Sequence, residues 1–128
     1  MAASDARQRD RCLRPDTGLP TIAAKVGRRL VIYTSSGVGR QGRAFWGAYS
    51  VSKFATEGLS QVLADEHRHS NLRSNCVNPG ATRTKMRLEA FPAEDRDALK
   101  RPEEILSTYI YLLGSDSKGV TGQSFNAQ

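Results

Sequence analysis

The sequence predicts an α/β fold, with about three parallel strands and flanking helices behind an irregular N-terminal leader. Three observations predict it. The run "RRLVIYTSS" is continuously apolar at its centre, with the β-branched and aromatic content of a buried strand. Residues 48–69 repeat apolar side chains at helical spacing. A second strand-like run, "LRSNCVNPG", then a helix-like one, "PEEILSTYIYLLG", and a short final strand follow. This alternation argues for parallel strands joined by right-handed crossovers. Three strands are few for a doubly wound sheet. The first would leave an open edge, and one face would lack its helices. The chain therefore reads as the C-terminal half of a larger domain.

Each element has its own signal. Residues 1–27 form a polar, Arg-rich leader punctuated by Pro15, Gly18 and Pro20, with "TIAAKVG" as a short helical turn at its end. The first strand spans Leu30 to Thr34, and a Gly-rich loop runs from it to about Gly47. In the helix over 48–69, Val51, Phe54, Ala55, Gly58, Leu59 and Val62 form an apolar stripe. Glu57, Gln61, Asp65 and Arg68 form a narrow polar strip; Tyr49, Lys53, Thr56, Ser60 and Ala64 form a third, mostly small face. So little polar surface predicts cover on two sides: a sheet, and a partner helix approaching the small residues. Pro79 and Gly80 end the second strand, and residues 81–101 read as a loop with a short helix. Pro102 opens the last helix, its acids in the first turn, and Gly114 marks its end. Ile105, Tyr109, Leu112 and Leu113 are its expected buried face.

At 128 residues the chain is one domain rather than two. Its 38% hydrophobic and 25% charged content is that of a soluble globular protein. No apolar run approaches the roughly 18 residues of a membrane span, and no signal-peptide core is evident. The only two cysteines, Cys12 and Cys76, make no disulfide framework, so a cytoplasmic setting is expected. The net charge of +6 is uneven: residues 1–29 hold seven basic against three acidic residues, a net +4. A basic arm can touch nucleic acid, but a solvated terminus is the favoured reading.

Residues 37–42, "GVGRQG", are formally G-x-G-x-x-G. A dinucleotide fingerprint must open a helix almost at once, so that the helix N-terminus meets the pyrophosphate. Here Arg43 to Gly47 intervene, and the acidic residue at the right distance, Glu57, lies in mid-helix. The match is accidental, and these glycines serve a tight loop beside a site.

Tyr49 and Lys53 stand at i and i+4, on one helical face near its N-terminal end. A phenol ordinarily titrates near ~10 and exchanges protons near neutrality only where a positive charge favours phenolate. Lys53 is placed to supply that charge. Ser36, ending the preceding strand, is placed to hydrogen-bond the same substrate oxygen, and strand ends are where α/β sites form. Tyr-x-x-x-Lys alone is weak evidence, since chance produces many such surface pairs.

The wider pattern is specific. Ser36 thirteen residues before Tyr49, then Lys53, then "NPG" at 78–80 with Thr84 beyond it, resembles the short-chain dehydrogenase/reductase family. "TSSGVGRQGRAFWGAYSVSKFATEGL", "QVLADE", "NPGATRTKMR" and "AFPAED" are similar in particular to its YciK-type bacterial oxidoreductases. The resemblance covers residues 28–128. It implies a Rossmann-like sheet, NAD or NADP as cofactor, and a small carbonyl or alcohol as substrate. It implies that Ser36 orients substrate, that Tyr49 is general acid/base, and that Lys53 favours the phenolate and holds the nicotinamide ribose. It further implies that Pro79 and Gly80 lie beneath the nicotinamide. Thr82 and Thr84 then contact its carboxamide and the adjacent phosphate, and residues 85–101 cover the substrate.

The family's N-terminal half has no counterpart: there is no T-G-x-x-x-G-x-G turn, no N-N-A-G and no catalytic asparagine. Weak or absent cofactor binding and little activity are expected of this chain alone, and a misassigned start or a frameshift is the expected origin of residues 1–27. His67 and His69, at i and i+2, make no metal site. "YTSSG" lacks the elbow of a serine hydrolase. Asn75 and Asn78 are expected to hydrogen-bond at the strand end, and Phe45 and Trp46 to line a substrate mouth or pack against the helix start. Two other readings stay open: a non-catalytic α/β interaction module, and nucleic-acid binding by the basic arm. A homo-oligomer through the 48–69 helix is compatible with the first two.

Overall fold

A computed structural model describes residues 29–128. The leader of residues 1–27, the "TIAAKVG" turn, Cys12 and nearly all of the basic arm lie outside the described residues. The order is β1 (Arg29–Thr34), α1 (Gly47–Glu66), β2 (Leu72–Asn78), α2 (Lys85–Ala90), α3 (Ser107–Leu113) and β3 (Ser124–Asn126). Short 3-10 turns at Gly37–Gly39, Arg96–Ala98, Pro102–Ile105 and Ser115–Ser117 lie between them. The three strands form one parallel sheet in the order β1-β2-β3. Thr34 pairs with Val77, and Asn78 with Asn126, so all three strands end at the same edge of the sheet.

Paired on both sides, β2 is the buried centre: Ser74, Asn75, Cys76 and Val77 are all inaccessible. On β1 the residues Leu30 to Tyr33 are only half-buried, because its other edge is open, as the short sheet predicts. Asn75 sits in mid-strand rather than at the strand end. Its amide donates to the Val120 carbonyl and its oxygen accepts from the Gln123 amide, which ties β2 to the approach of β3.

Two expectations about helix faces are corrected. On α1 the apolar stripe does not face the sheet: Val51, Phe54, Leu59 and Val62 are exposed, while Ser50, Glu57, Ser60 and Ala64 are buried. The small face lies on the sheet because β2 opposes it with small side chains. Ser60 Oγ lies 3.0 Å from Ser74 Oγ, and Cys76 Sγ contacts the Thr56 carbonyl. Burial pushes the Cys76 thiol pKa up, so it stays protonated. The predicted C-terminal helix divides into a 3-10 turn and α3 at Leu106. Ile105 and Leu112 are buried and Tyr109 half-buried, but Leu113 is exposed. Leu113 follows the buried Leu112 by one helical step of about 100°, which carries it off the buried face. Arg73 of β2 then holds the end of α3, donating to the Leu112 carbonyl at 3.1 Å and to Ser117 Oγ at 2.7 Å.

Candidate active site

The site forms where β1 and β2 end. After Thr34 the chain places Ser35 in the interior and Ser36 just ahead of the 3-10 turn. The loop is pinned to α1 at two points. Ser50 Oγ donates to the Val38 carbonyl at 2.6 Å. Gly39 lies so close to the helix that a Cβ would stand 2.8 Å from Lys53 Cβ, so only glycine fits. This is what the middle glycine of "GVGRQG" does: Gly39 lets the serine loop rest on the first turns of α1.

Lys53 reaches back to the strand, its Nζ donating to the Thr34 carbonyl at 2.9 Å. The same nitrogen lies 5.6 Å from the centroid of the Tyr49 ring. Tyr49 is 40% exposed. Its ring therefore faces the cleft with the ammonium beside it.

Opposite, Asn78 Oδ1 accepts from the Gly80 amide at 3.1 Å, closing an Asx turn. Gly80 has φ +71°, in the left-handed region that suits glycine. The buried Thr82 hydroxyl donates towards the Pro79 and Gly80 carbonyls, and Thr84 Oγ1 caps α2 by accepting from the Arg87 amide. Within α2, Arg87 donates twice to Glu94 at 2.6 Å and lies 3.9 Å over the Phe91 ring. The Arg87 hydrogen bonds hold the Glu94 carboxyl below its ordinary range. Phe91 stacks on Trp46 at 6.0 Å, and Trp46 lies 5.7 Å from Tyr49.

Ser36, Tyr49, Lys53, Pro79, Gly80, Thr82 and Thr84 thus line one cleft of about 810 Å³, walled further by Trp46, Met86 and Phe91. Its lining includes Arg43, Lys53 and Arg87 but no acidic residue. Trp46 is at the mouth; Phe45 is not, and is fully exposed with φ +69°. No cluster of metal-binding side chains occurs among the described residues.

Sequence reasoning missed a group behind the cleft. Glu57 is buried, accepting from Arg40 Nε at 3.2 Å and Ser124 Oγ at 2.9 Å. Burial opposes its ionisation, but hydroxyls of Ser35 and Ser124 and the Arg40 guanidinium outweigh that, so its pKa lies below the ordinary value. Ser35 stands near this carboxylate without a well-formed bond, and its hydroxyl is buried unpartnered. The available signal was an acid set on a helix face beside small residues, with an arginine in the preceding loop.

The family described as short chain dehydrogenase matches residues 17–95. The chain belongs to the short-chain dehydrogenase family. It is 59% identical over 98 residues to the oxidoreductase YciK of Escherichia coli K12, covering 77% of this chain and 38% of that protein. It is 34% identical over 111 residues to the 3alpha-hydroxysteroid dehydrogenase of Mediterraneibacter gnavus, covering 80% and 44%. A short chain dehydrogenase of Shigella flexneri 2a, solved in complex with NADP, superposes with TM-score 0.78 at 57% identity. That superposition covers 81% of this chain and 43% of the other. This short-chain dehydrogenase sequence therefore spans about two fifths of the length of these relatives. Three parallel strands with flanking helices, a fragment of such a fold, are what the described residues form.

Proposed function

We propose that the cleft interconverts a carbonyl and an alcohol on a small substrate with NAD or NADP, and that Ser36, Tyr49 and Lys53 carry the chemistry. The observation that carries this reading is the Lys53 ammonium beside the Tyr49 ring, in a cleft that also holds Ser36 and the Pro79–Gly80 turn. In reduction the Tyr49 hydroxyl donates its proton to the substrate oxygen; in oxidation the phenolate takes it back. Lys53, held by the Thr34 carbonyl, keeps its positive charge beside the ring. The Ser36 hydroxyl donates to the same oxygen and steadies its developing charge.

The lining fits the nicotinamide end of the cofactor. Among the described residues it carries Arg43, Lys53 and Arg87 and no acid to repel a phosphate. Tyr49, Lys53, Pro79, Gly80, Thr82 and Thr84 would hold it. When bound, the cofactor supplies or accepts the hydride at the substrate carbon. Among the described residues no glycine-rich strand–turn–helix is present to cradle a pyrophosphate. Weak cofactor binding and low activity of these residues alone are part of this proposal, and micromolar affinity for NADPH or NADH by calorimetry would contradict that part. Carbonyl reduction at millimolar cofactor tests the rest. Tyr49→Phe should lower the rate about a hundredfold or more, and turnover that survives the substitution would sink the assignment.

The exposed apolar stripe on α1 favours a second reading, a non-catalytic interaction module that keeps the motif. Absence of turnover and of cofactor binding even at millimolar concentration would favour it. The exposed stripe of Val51, Phe54, Leu59 and Val62 supports a homo-oligomer through α1, to be read by light scattering. No helix of the described residues is long and apolar enough to cross a membrane, and a cytoplasmic setting is part of the same reading. Nucleic-acid binding is the least supported: it requires salt-dependent retention on DNA that is lost with residues 1–29.

A further inference from the structure

One guanidinium beside the cleft joins α1 to β3. Arg40 follows directly on the 3-10 turn behind Ser36. Its Nε donates to Glu57 on α1, one turn beyond Lys53. Its Nη1 donates to Asn126 Oδ1 at 2.8 Å and its Nη2 to the Phe125 carbonyl at 3.0 Å, both on β3. Asn126 Oδ1 also accepts from Asn78 Nδ2 at 3.2 Å. The other end of that same amide, Asn78 Oδ1, accepts from the Gly80 backbone at 3.1 Å. A continuous path of hydrogen bonds therefore runs from the helix that carries Tyr49 and Lys53, through Arg40 and Asn126, to the Pro79–Gly80 turn.

We infer that Arg40 is a positioning residue, which sets the Pro79–Gly80 turn against the Ser36 loop and the Tyr49–Lys53 pair through Asn126 and Asn78. Three features suit it to that task. The guanidinium is a rigid planar fork, so three acceptors fixed in space define its orientation, and it defines theirs. Glu57 is anchored twice, by Arg40 and by Ser124, so the fork rests on a fixed charge. Asn126 is shared by Arg40 and Asn78, so moving the fork leaves the Asn78 amide without its guide. None of these residues lies among the seven the sequence marks for catalysis or cofactor. The inference rests on the nicotinamide reading of the cleft only in its cofactor arm.

The test uses the full chain, labelled with ¹⁵N, as wild type, Arg40→Lys and Asn126→Ala. Lysine keeps the charge but cannot fork. Asn126→Ala cuts the path at an exposed side chain and spares the Arg40–Glu57 pair. Both variants are expected to move the Gly80 backbone resonance and the Asn78 side-chain resonance by more than a linewidth. The Cys76 and Val77 amides of β2, which a general loosening would disturb, are expected to stay in place. Unmoved Gly80 and Asn78 resonances in Asn126→Ala would overturn the inference. So would equal movement of Cys76 and Val77, which would mark a merely structural role. In the cofactor arm, NADPH affinity measured by calorimetry is expected to fall about tenfold in Asn126→Ala, the worth of one good hydrogen bond. Local resonance shifts with unaltered NADPH affinity would keep the positioning role and count against the nicotinamide reading of the turn.

Discussion

Along α1, Ser50, Glu57, Ser60 and Ala64 lie against the sheet, while Val51, Phe54, Leu59 and Val62 face outward. Hydropathy alone would assign the two faces the other way round. The inner face is polar but satisfied: Ser50 bonds Val38, Ser60 meets Ser74, and Glu57 is held by Arg40 and Ser124. It is also short. A Cβ on Gly122 would lie 3.3 Å from Ala64 Cβ, which shows how near the helix comes to the strand connection. The difference teaches that close approach selected the inner face by size, and that hydrogen bonds then offset the polarity. The outer face, a contiguous apolar stripe rather than scattered residues, is the one with surface to cover.

Substitutions can break or sharpen this contrast. The largest effect is expected from Ser60→Leu, which forces a long side chain between α1 and β2. It should cost about 3 kcal/mol in denaturant unfolding, the upper part of the range for overpacking. Glu57→Ala should cost about 2 kcal/mol, because it leaves Arg40 and Ser124 without their acceptor. The value is set below that for a fully buried pair, since the Arg40 side chain remains 31% exposed. The same pair gives a pH signature. The folded pKa of Glu57 lies below the unfolded one, so its stabilisation is complete above the ordinary carboxylate range and is lost as pH falls through the depressed value. The melting temperature of the wild type should therefore fall more steeply in acid than that of Glu57→Gln; parallel curves would refute the assignment. Ser60→Ala should cost about 1 kcal/mol by orphaning Ser74 Oγ. Leu59→Ser, on the outer face, should change monomer stability by no more than about 0.5 kcal/mol. If α1 pairs with a second copy, Leu59→Ser should nonetheless lower the oligomeric mass in light scattering, and an unchanged mass would argue against that pairing.

The contrast also marks what sequence reasoning could reach. Strand, helix and strand were legible because "LVIYT" and "NCVNPG" combine β-branched or buried residues with clear breakers, and a 20-residue helix sits between them. The parallel, open-edged sheet followed from alternation alone. That Ser36, Tyr49, Lys53 and Pro79 would meet at one cleft was legible because Tyr49 and Lys53 are one turn apart and Ser36 and Pro79 stand at strand ends. The facing of α1 was not legible, because it depends on Ser74 and Cys76 of another element. Nor was the division of the last helix at Leu106, where local propensity gives no breaker. Arg40, Glu57 and Asn126 escaped for a different reason. They are separated by up to 86 positions in the chain and meet only after the sheet is assembled.

Trp46 has a use of its own. It is the only tryptophan in the chain, and it lies between Phe91, just past α2, and Tyr49 of α1. Indole emission responds to the polarity and mobility of its surroundings, so the protein carries a built-in optical reporter at the mouth of its own cleft. A change in the packing of Phe91 against Trp46 would be visible in the intrinsic fluorescence without any label.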